Sequence, residues 1–303
     1  MNEPEVSGGA PAPRDSVRQV LPADCVLGEG PFWSAEEGVL YWLDIRLQKL
    51  HAWRPATAET RTQRLPAPTG AAAPCADGRL LVATSRGIGR FDTRTARFDL
   101  IANTAPDWPR SRYNDGKCDR AGRFWTGTMR LKGPHGQEKL YRLEPDLGFT
   151  CADGGFTLCN GLGWSPDDRC LYLADSHAGC IFVYDFDLAT GSIANRRVFA
   201  QVPAAAGVPD GLTVDSEGCV WVACARGWRL VRYDPDGSAE RIVQLPVSRP
   251  TSCAFGGPDL ATLYITSARG GLARRALAEA PWSGSLLAIE PGVPGLPEPV
   301  FAG

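Results

Sequence analysis

A short apolar run recurs six times along the chain, and this repeat limits the fold more than any other feature of the sequence. Each run follows a polar turn, and consecutive runs start 40 to 49 residues apart. A second apolar segment follows most runs within a few residues, so each unit is predicted to be an antiparallel β-meander. The six runs are Gly38–Asp44, Gly78–Thr84, Gly122–Thr128, Arg169–Asp175, Gly218–Cys224 and Ala261–Ser267.

This period predicts an all-β fold, the six-bladed β-propeller, because a four-stranded blade takes roughly 40–50 residues. The rungs of a β-helix are shorter, and the runs are too short and too rich in Val, Leu, Tyr and Trp for a helical solenoid. We expect residues 16–303 to form a single propeller domain whose terminal segments pair in one blade. Residues 1–15 are predicted to be a flexible tail, and Leu272–Ala280 a short surface helix.

Composition excludes several classes of protein. Lys plus Arg number 32 and Asp plus Glu 34, an even balance that argues against a nucleic-acid binder. No stretch approaches the ~20 apolar residues of a membrane helix, and no secretory signal pattern is present. The ten cysteines include no C-x-x-C pair, which argues against a zinc finger and favours buried, reduced thiols over a disulfide framework. We therefore expect a cytoplasmic monomer.

Four of the six units carry an oxygen-bearing side chain at one position, 8 or 9 residues before the apolar run. Equivalent positions in a closed propeller are related by rotation about its axis, so these side chains should surround one mouth of the channel. Taken singly, an Asn-Gly or Asp-Gly pair is typical of a hairpin turn, but four at one phase favour a site. The four residues are Glu29, Asn114, Asn160 and Asp210, and the other two units offer the neutral pairs Thr69-Gly70 and Thr251-Ser252.

A set of two carboxylates and two amides, without imidazole or thiolate, predicts a hard divalent cation. Ca²⁺, Mg²⁺ or Mn²⁺ fits this set better than zinc. The sequence contains no G-x-S-x-G, H-E-x-x-H or P-loop motif. The three histidines, His51, His135 and His177, are expected to be exposed or packing residues rather than catalysts.

At these positions the sequence resembles the SMP-30/gluconolactonase/regucalcin-like family of six-bladed propellers, from about Leu27 to Gly303. The resemblance implies one divalent cation (Ca, Mg, Mn, Zn or Fe) held by Glu29, Asn160 and Asp210. It also implies substrate contacts from Arg112 and Asn114. The matching segments are LGEGPFW (Leu27–Trp33), RYNDGKCDRAGRFWTGTM (Arg112–Met129), NGLGWSPD (Asn160–Asp167), NRRVF (Asn195–Phe199), PDGLTVDSEGCVWVA (Pro209–Ala223), TSCAFGG (Thr251–Gly257) and LYITSARGG (Leu263–Gly271).

The expected function is that of a metal-dependent hydrolase that opens small sugar lactones, such as gluconolactone or pentonolactones, to aldonic acids. Asp210 would accept a proton from the attacking water, and Arg112 and Asn114 would hold the lactone near the cation. Two alternatives stay open: a broader esterase or phosphotriesterase on the same metal, and a non-catalytic calcium-binding regulatory propeller.

One segment departs from the family. After GTM, the vertebrate members tend to have acidic residues near the substrate, whereas this chain has Arg130-Leu131-Lys132-Gly133. The resemblance therefore does not predict which sugar this protein prefers. Loop 130–139 is a candidate cover for the pocket.

Overall fold

Six four-stranded antiparallel sheets make up the fold. The computed structural model describes residues 16–104, 107–133 and 135–303, and the predicted tail 1–15 lies outside them. The first strand of each sheet packs against the first strands of both neighbouring sheets, so the sheets close into a ring around a central channel. The predicted six-bladed β-propeller is confirmed.

The blades follow the order of the chain. Blades I to V comprise β2–β5, β6–β9, β10–β13, β14–β17 and β18–β21, and blade VI combines β22–β24 with β1. The helical segments are a 3₁₀ turn at Ala204–Ala206 and α1 at Arg274–Glu279, which lies within the predicted helix. The strands are β1 Arg18–Leu21, β2 Gly28–Ser34, β3 Val39–Asp44, β4 Lys49–Arg54, β5 Glu59–Arg64, β6 Thr69–Pro74, β7 Leu80–Thr84, β8 Gly87–Asp92, β9 Arg97–Ala102, β10 Ser111–Cys118, β11 Phe124–Arg130, β12 Glu138–Leu143, β13 Phe149–Phe156, β14 Cys159–Trp164, β15 Cys170–Asp175, β16 Cys180–Asp187, β17 Ser192–Gln201, β18 Val208–Val214, β19 Val220–Ala225, β20 Arg229–Tyr233, β21 Ala239–Gln244, β22 Pro250–Gly256, β23 Thr262–Ser267 and β24 Leu286–Ile289.

Each apolar run of the sequence forms the second strand of a blade. In β3 all six residues are buried, because this strand packs against the neighbouring blades on both faces. A strand buried on both faces reads as a continuous apolar run rather than an alternating one. The hydrophobic core is accordingly divided into six clusters, one between each pair of adjacent blades.

The ring closes by pairing the two ends of the chain, as predicted. β1 pairs antiparallel with β24, with Arg18 opposite Ala288. Ring closure of this kind covers strand edges that would otherwise be open to pairing with another chain.

A hydrogen bond from a Trp indole to an Asp carboxylate fixes the polar turn before the second strand in two blades. Trp125 Nε1 donates to Asp119 Oδ2 at 2.8 Å in blade III, and Trp221 Nε1 donates to Asp215 Oδ2 at 2.9 Å in blade V. Both carboxylates are fully buried. Each carboxylate also pairs with a buried arginine, Arg123 with Asp119 and Arg232 with Asp215, so the charge that would be costly to bury alone is compensated.

The C-terminal segment 293–303 crosses the far face of the ring. Gly295 forms a bridge with Asp215 in blade V, and Phe301 forms one with Cys75 in blade II. Both partners directly follow the ends of first strands, whereas the predicted site residues lie near the starts of first strands. The segment therefore covers the channel at the end opposite the predicted site.

The described residues include all ten cysteines, and none forms a disulfide. Eight are buried, Cys170 is half-buried and Cys151 is exposed. Within the described ranges, no helix combines the length and the hydropathy required to cross a bilayer.

Candidate metal centre and active site

The first strand of every blade contains a β-bulge at the equivalent position, that is, one extra residue relative to the second strand with which it pairs. In β2, Glu29 lies opposite Leu43 and Phe32 lies opposite Tyr41, so three steps along β2 match two along β3. Such a bulge bends the strand and redirects its side chains. The other five shifts lie between Thr69 and Ala71, Tyr113 and Gly116, Cys159 and Leu162, Pro209 and Leu212, and Pro250 and Ser252.

The polar residues with their following glycines lie in these bulges. Asn160-Gly161 is inside β14 and Asp210-Gly211 is inside β18, so the alternative interpretation as hairpin turns is wrong for both. The glycines are required because the strands converge here. A Cβ on Gly161 would lie 2.3 Å from Leu212 N, and one on Gly211 would lie 2.0 Å from Ser252 Oγ.

Two aspartates at the ends of second strands anchor the chain where it enters the site. Asp44 accepts a hydrogen bond from Val26 N at 2.8 Å, three residues before Glu29. Asp175 accepts from Thr157 N at 2.9 Å, three residues before Asn160. These bonds fix the backbone just ahead of both side chains.

Asn160 and Asp210 are in direct contact. Asn160 Nδ2 donates to Asp210 Oδ1 at 2.5 Å and to Ser176 Oγ at 3.0 Å. Asn160 Oδ1 is buried and has no hydrogen-bond partner among the described residues. A buried amide oxygen without a partner is costly, so this atom is a candidate ligand position.

Arg112 and Asn114 form a second pair at the same mouth. Arg112 Nη1 donates to Tyr113 O at 2.7 Å and to Asn114 Oδ1 at 3.0 Å. Asn114 Nδ2 donates to Cys159 O at 2.9 Å. Both ends of the Asn114 amide are therefore engaged, whereas the oxygen of the Asn160 amide is not.

Glu29 interacts electrostatically with the other site residues at this mouth of the channel. Burial, and next the charges of Asp210 and Asp115, hold the pKa of Glu29 well above its usual range. Burial, and next the charge of Asp115, raises the pKa of Asp210 to about 8. Arg112 is the nearby cation, and burial lowers its own pKa to about 10, so it stays charged at neutral pH. The Arg112 guanidinium therefore acts on two carboxyl groups, Glu29 and Asp210, and the charge of Asp115 also acts on both of these acids.

Asp115 is the member of this group that the sequence analysis missed. Its carboxylate accepts from Gly116 N at 2.8 Å, and burial raises its pKa to about 6. Strand alternation would place it on the face opposite Asn114, but the bulge between Tyr113 and Gly116 interrupts that alternation. The one indication of this role in the sequence is that Asp115 directly follows Asn114, which occupies the repeated position of its unit.

In blades II and VI the repeated position holds the neutral pairs Thr69-Gly70 and Thr251-Ser252, and these residues serve packing. Thr251 Oγ1 donates to Gly28 O at 2.5 Å and lies 2.9 Å from Thr266 Oγ1. A Cβ on Gly70 would lie 2.3 Å from Tyr113 O. The charged and amide side chains are thus confined to the other four blades.

A cavity of about 390 Å³ opens onto Asp210. Its wall is built from loops at the mouth and contains Thr251 and three arginines, Arg46, Arg226 and Arg249. No residue of the described parts of loop 130–139 lines it. Arg130 is instead directed to Glu138, which lies 3.2 Å away.

The donor set fits a hard divalent cation. The described ranges contain no group of three or more His, Cys, Asp and Glu side chains placed to hold a metal. The candidate ligands are Glu29, Asp210 and the Asn160 amide, which together offer only oxygen atoms. Oxygen ligands with two carboxylates suit Ca²⁺, Mg²⁺ or Mn²⁺. The unpartnered Asn160 Oδ1 and the raised pKa values of both acids are what such a cation would relieve.

The histidines contribute no ligand to this group. His51 is buried, stacks on Trp42 at a centroid distance of 5.0 Å and shares a hydrogen bond with Thr62. His135 and His177 contact each other edge to face at 4.8 Å, in two loops between strands.

Comparison with known proteins agrees with this architecture. The family model for the SMP-30/gluconolactonase/LRE-like region matches residues 27–269. A regucalcin of Xenopus laevis is 35% identical over 91% of this chain and 95% of its own length. A 6-deoxy-6-sulfogluconolactonase of Pseudomonas putida is 37% identical over 95% of this chain and 99% of its own length.

A solved structure is similarly close. The crystal structure of regucalcin from Agrobacterium tumefaciens, described as a calcium-binding protein, superposes with a TM-score of 0.90 at 30% identity. The match covers 95% of this chain and 98% of that protein. With a family model that spans most of the chain and relatives of full length, the chain belongs to the SMP-30/gluconolactonase/LRE-like family.

Proposed function

We propose that this protein is a hydrolase that opens sugar lactones to aldonic acids, with a divalent cation bound by Glu29, Asn160 and Asp210. The observation that supports this most is the pairing of Asn160 with Asp210, which leaves Asn160 Oδ1 buried without a partner. The family membership and the sulfogluconolactonase relative support the lactone as substrate class.

The chain's own residues would divide the work as follows. Arg112 Nη1 is committed to Tyr113 O and Asn114 Oδ1, while its Nη2 has no partner in the described part of the chain. That group would donate to a sugar hydroxyl or to the ring ester, and Asn114 holds the guanidinium in place for it. A positioned, charged donor of this kind orients the substrate before reaction.

Asp210 would act as general base. Its carboxylate lines the cavity, and it would be kept ionised by a bound cation and so be able to accept a proton. It would take one proton from water as the water oxygen bonds to the lactone carbonyl carbon. The ring C–O bond then breaks, the ring oxygen takes a proton, and an aldonic acid results. A bound divalent cation would supply Lewis-acid polarisation of the carbonyl.

A screen of C5 and C6 aldonolactones with a pH indicator tests the proposal. The protein is assayed as purified, after EDTA treatment, and after adding back Ca²⁺, Mg²⁺, Mn²⁺ or Zn²⁺. We expect proton release that EDTA abolishes and at least one metal restores. No turnover of any lactone, with metal shown to be bound, would instead favour a non-catalytic calcium-binding propeller.

The same assay with aryl esters and phosphotriesters separates a lactonase from a broader esterase. We expect lactones to be turned over with higher kcat/KM. Arg112 supports this preference, because a guanidinium next to the cation can bind the hydroxyl groups that sugar lactones have and simple aryl esters lack. Higher kcat/KM on aryl esters would overturn it.

The remaining expectations stay predictions. They are one domain for residues 16–303, a monomeric state, no nucleic-acid or membrane partner, and a cytoplasmic location. The ten unpaired thiols are consistent with a reducing compartment.

A further inference from the structure

The cavity above Asp210 carries more positive charge than a neutral sugar needs. Arg46 lies in the β3–β4 turn of blade I, Arg226 in the β19–β20 turn of blade V, and Arg249 in the segment that leads into β22 of blade VI. The three come from three different blades and meet at one wall. Asp210 is the single carboxylate of the lining.

None of the three arginines is neutralised within the described ranges. Arg46 and Arg226 form no ion pair there, and Arg249 Nη1 donates to a backbone oxygen, Gly270 O, at 2.6 Å. Their charge acts on neighbouring groups. Arg46 helps to lower the pKa of Arg112, and Arg226 helps to lower the pKa of His177.

A hydrogen bond to the backbone holds the Arg249 side chain in the cavity wall. This residue is half-buried, and its bond to Gly270 joins the segment before β22 to the loop after β23. Arg46 and Arg226 are exposed on either side of it. Guanidinium groups present several N–H donors in a plane, which suits the oxygens of a phosphate, sulfonate or carboxylate.

One cavity joins this wall to the proposed reacting groups, because Asp210 and the three arginines line it together. Asp210 lines the cavity and contacts Asn160, and Arg112 is within electrostatic reach of both Asp210 and Glu29. The arginine wall extends from there toward blades V, VI and I. A volume of about 390 Å³ falls in the range of small-molecule pockets.

We propose that Arg46, Arg226 and Arg249 form an anion subsite, so that the substrate is a sugar lactone with a negatively charged group at the end remote from its carbonyl. The inference rests on the proposed lactonase function, since it names the class of lactone. The anionic group would contact the arginines while the lactone carbonyl lies at Asp210.

Matched substrates test the subsite. Glucono-1,5-lactone is compared with its 6-phosphate and with a glucaric acid lactone, which carries a carboxylate at the same end. We expect kcat/KM for at least one anionic lactone to exceed that for the neutral one by about tenfold or more, and this ratio to fall with added salt. A ratio of one or less for both anionic lactones would overturn the proposal.

Variants assign the effect to these side chains. Arg226→Gln and Arg46→Gln keep a polar side chain and remove its charge, and each should lower the ratio mainly through KM of the anionic lactone. Arg274→Gln is the matched control, because Arg274 is an exposed arginine of α1 outside the cavity lining. Equal ratios in all three variants and in the wild type would contradict the subsite.

A binding measurement separates this proposal from the lactonase proposal. Calorimetry with gluconate and with 6-phosphogluconate on the metal-loaded protein reports affinity without turnover. Tighter binding of 6-phosphogluconate that is lost in Arg226→Gln supports the subsite even if no lactone is hydrolysed, in which case the hydrolytic function alone fails. Equal affinity for the two acids, together with turnover of neutral lactones, would support the lactonase proposal and contradict the anion subsite.

Discussion

Asn160 Nδ2 lies 2.5 Å from Asp210 Oδ1, although the two residues are 50 positions apart in the sequence. The contact joins the first strands of blades IV and V, and Ser176 holds the same amide nitrogen from the other side. With its nitrogen doubly bound, the amide keeps its oxygen in one orientation. The pair therefore fixes one acid and one amide of the candidate metal centre relative to each other.

Replacement of Asp210 should have the largest effect of any single change in the site. Asp210→Asn keeps the shape but removes a charge that would both bind the cation and accept a proton. We expect kcat on an aldonolactone to fall by about 10²–10⁴-fold. Steady-state kinetics measure this, with circular dichroism and metal analysis as controls for folding and occupancy. Wild-type turnover with metal retained would rule out the general-base role.

Stability of the metal-free protein should depend on pH through the same acids. Asp210 holds its proton up to about pH 8 in the folded protein, whereas an unfolded aspartate loses it near about pH 4. The folded state thus binds more protons between these values, so the free energy of unfolding should fall as pH rises from about 4 to about 8 and then level off.

Urea denaturation in EDTA across that pH range measures the slope. Asp210→Asn is the control, because it cannot titrate and should show a flatter profile. Saturating cation should also reduce the slope, since it binds the ionised acids of the folded state. Identical profiles for wild type and variant in EDTA would show that Asp210 does not titrate in this range.

Close approach of the first strands in blades II and III makes Gly70 intolerant of a side chain. A Cβ there would lie 2.3 Å from Tyr113 O, so Gly70→Ala should destabilise the protein by about 1–3 kcal/mol. Gly154→Ala is a matched control, because its nearest contact would be an ordinary 3.5 Å. Chemical denaturation compares the two, and equal free energies of unfolding would contradict the packing argument.

Phe301 should be needed for stability although it is only two residues before Gly303. It is fully buried and packs in the cluster between blades II and III. Phe301→Ala should lower the free energy of unfolding by about 3–5 kcal/mol. The neighbouring Val300 is 43% exposed, so Val300→Ala should change it by about 0.5 kcal/mol or less. Similar losses in both variants would contradict this role for the segment.

The periodic part of the structure could be predicted from the sequence. A second strand that is buried on both faces gives a continuous apolar run, and six such runs at one spacing specify the number of blades. The same spacing predicts that Glu29, Asn114, Asn160 and Asp210 share one mouth, because rotation about the axis relates equal positions.

The parts that escaped prediction depend on backbone register or on residues outside the repeat. Asp115 enters the channel because of the bulge in β10, and the residue pattern does not show such a change of register although it recurs in every blade. Arg46, Arg226 and Arg249 lie in turns or linkers at unequal positions within their blades, so only the folded ring brings them to one cavity. Asn114 and Asn160 looked equivalent in the sequence, and their different hydrogen bonds depend on Arg112 and Asp210.

The C-terminal segment 293–303 closes the far face of the ring. Inside the channel it contributes Glu298, which lies 3.6 Å from Lys117 on β10. With that end occupied, the cavity at Asp210 opens at the opposite mouth, and under the proposed function substrate and product would share that route. A long polymer could not pass through a channel closed at that end, so under the proposed function the protein would act on small, free molecules or on the end of a chain.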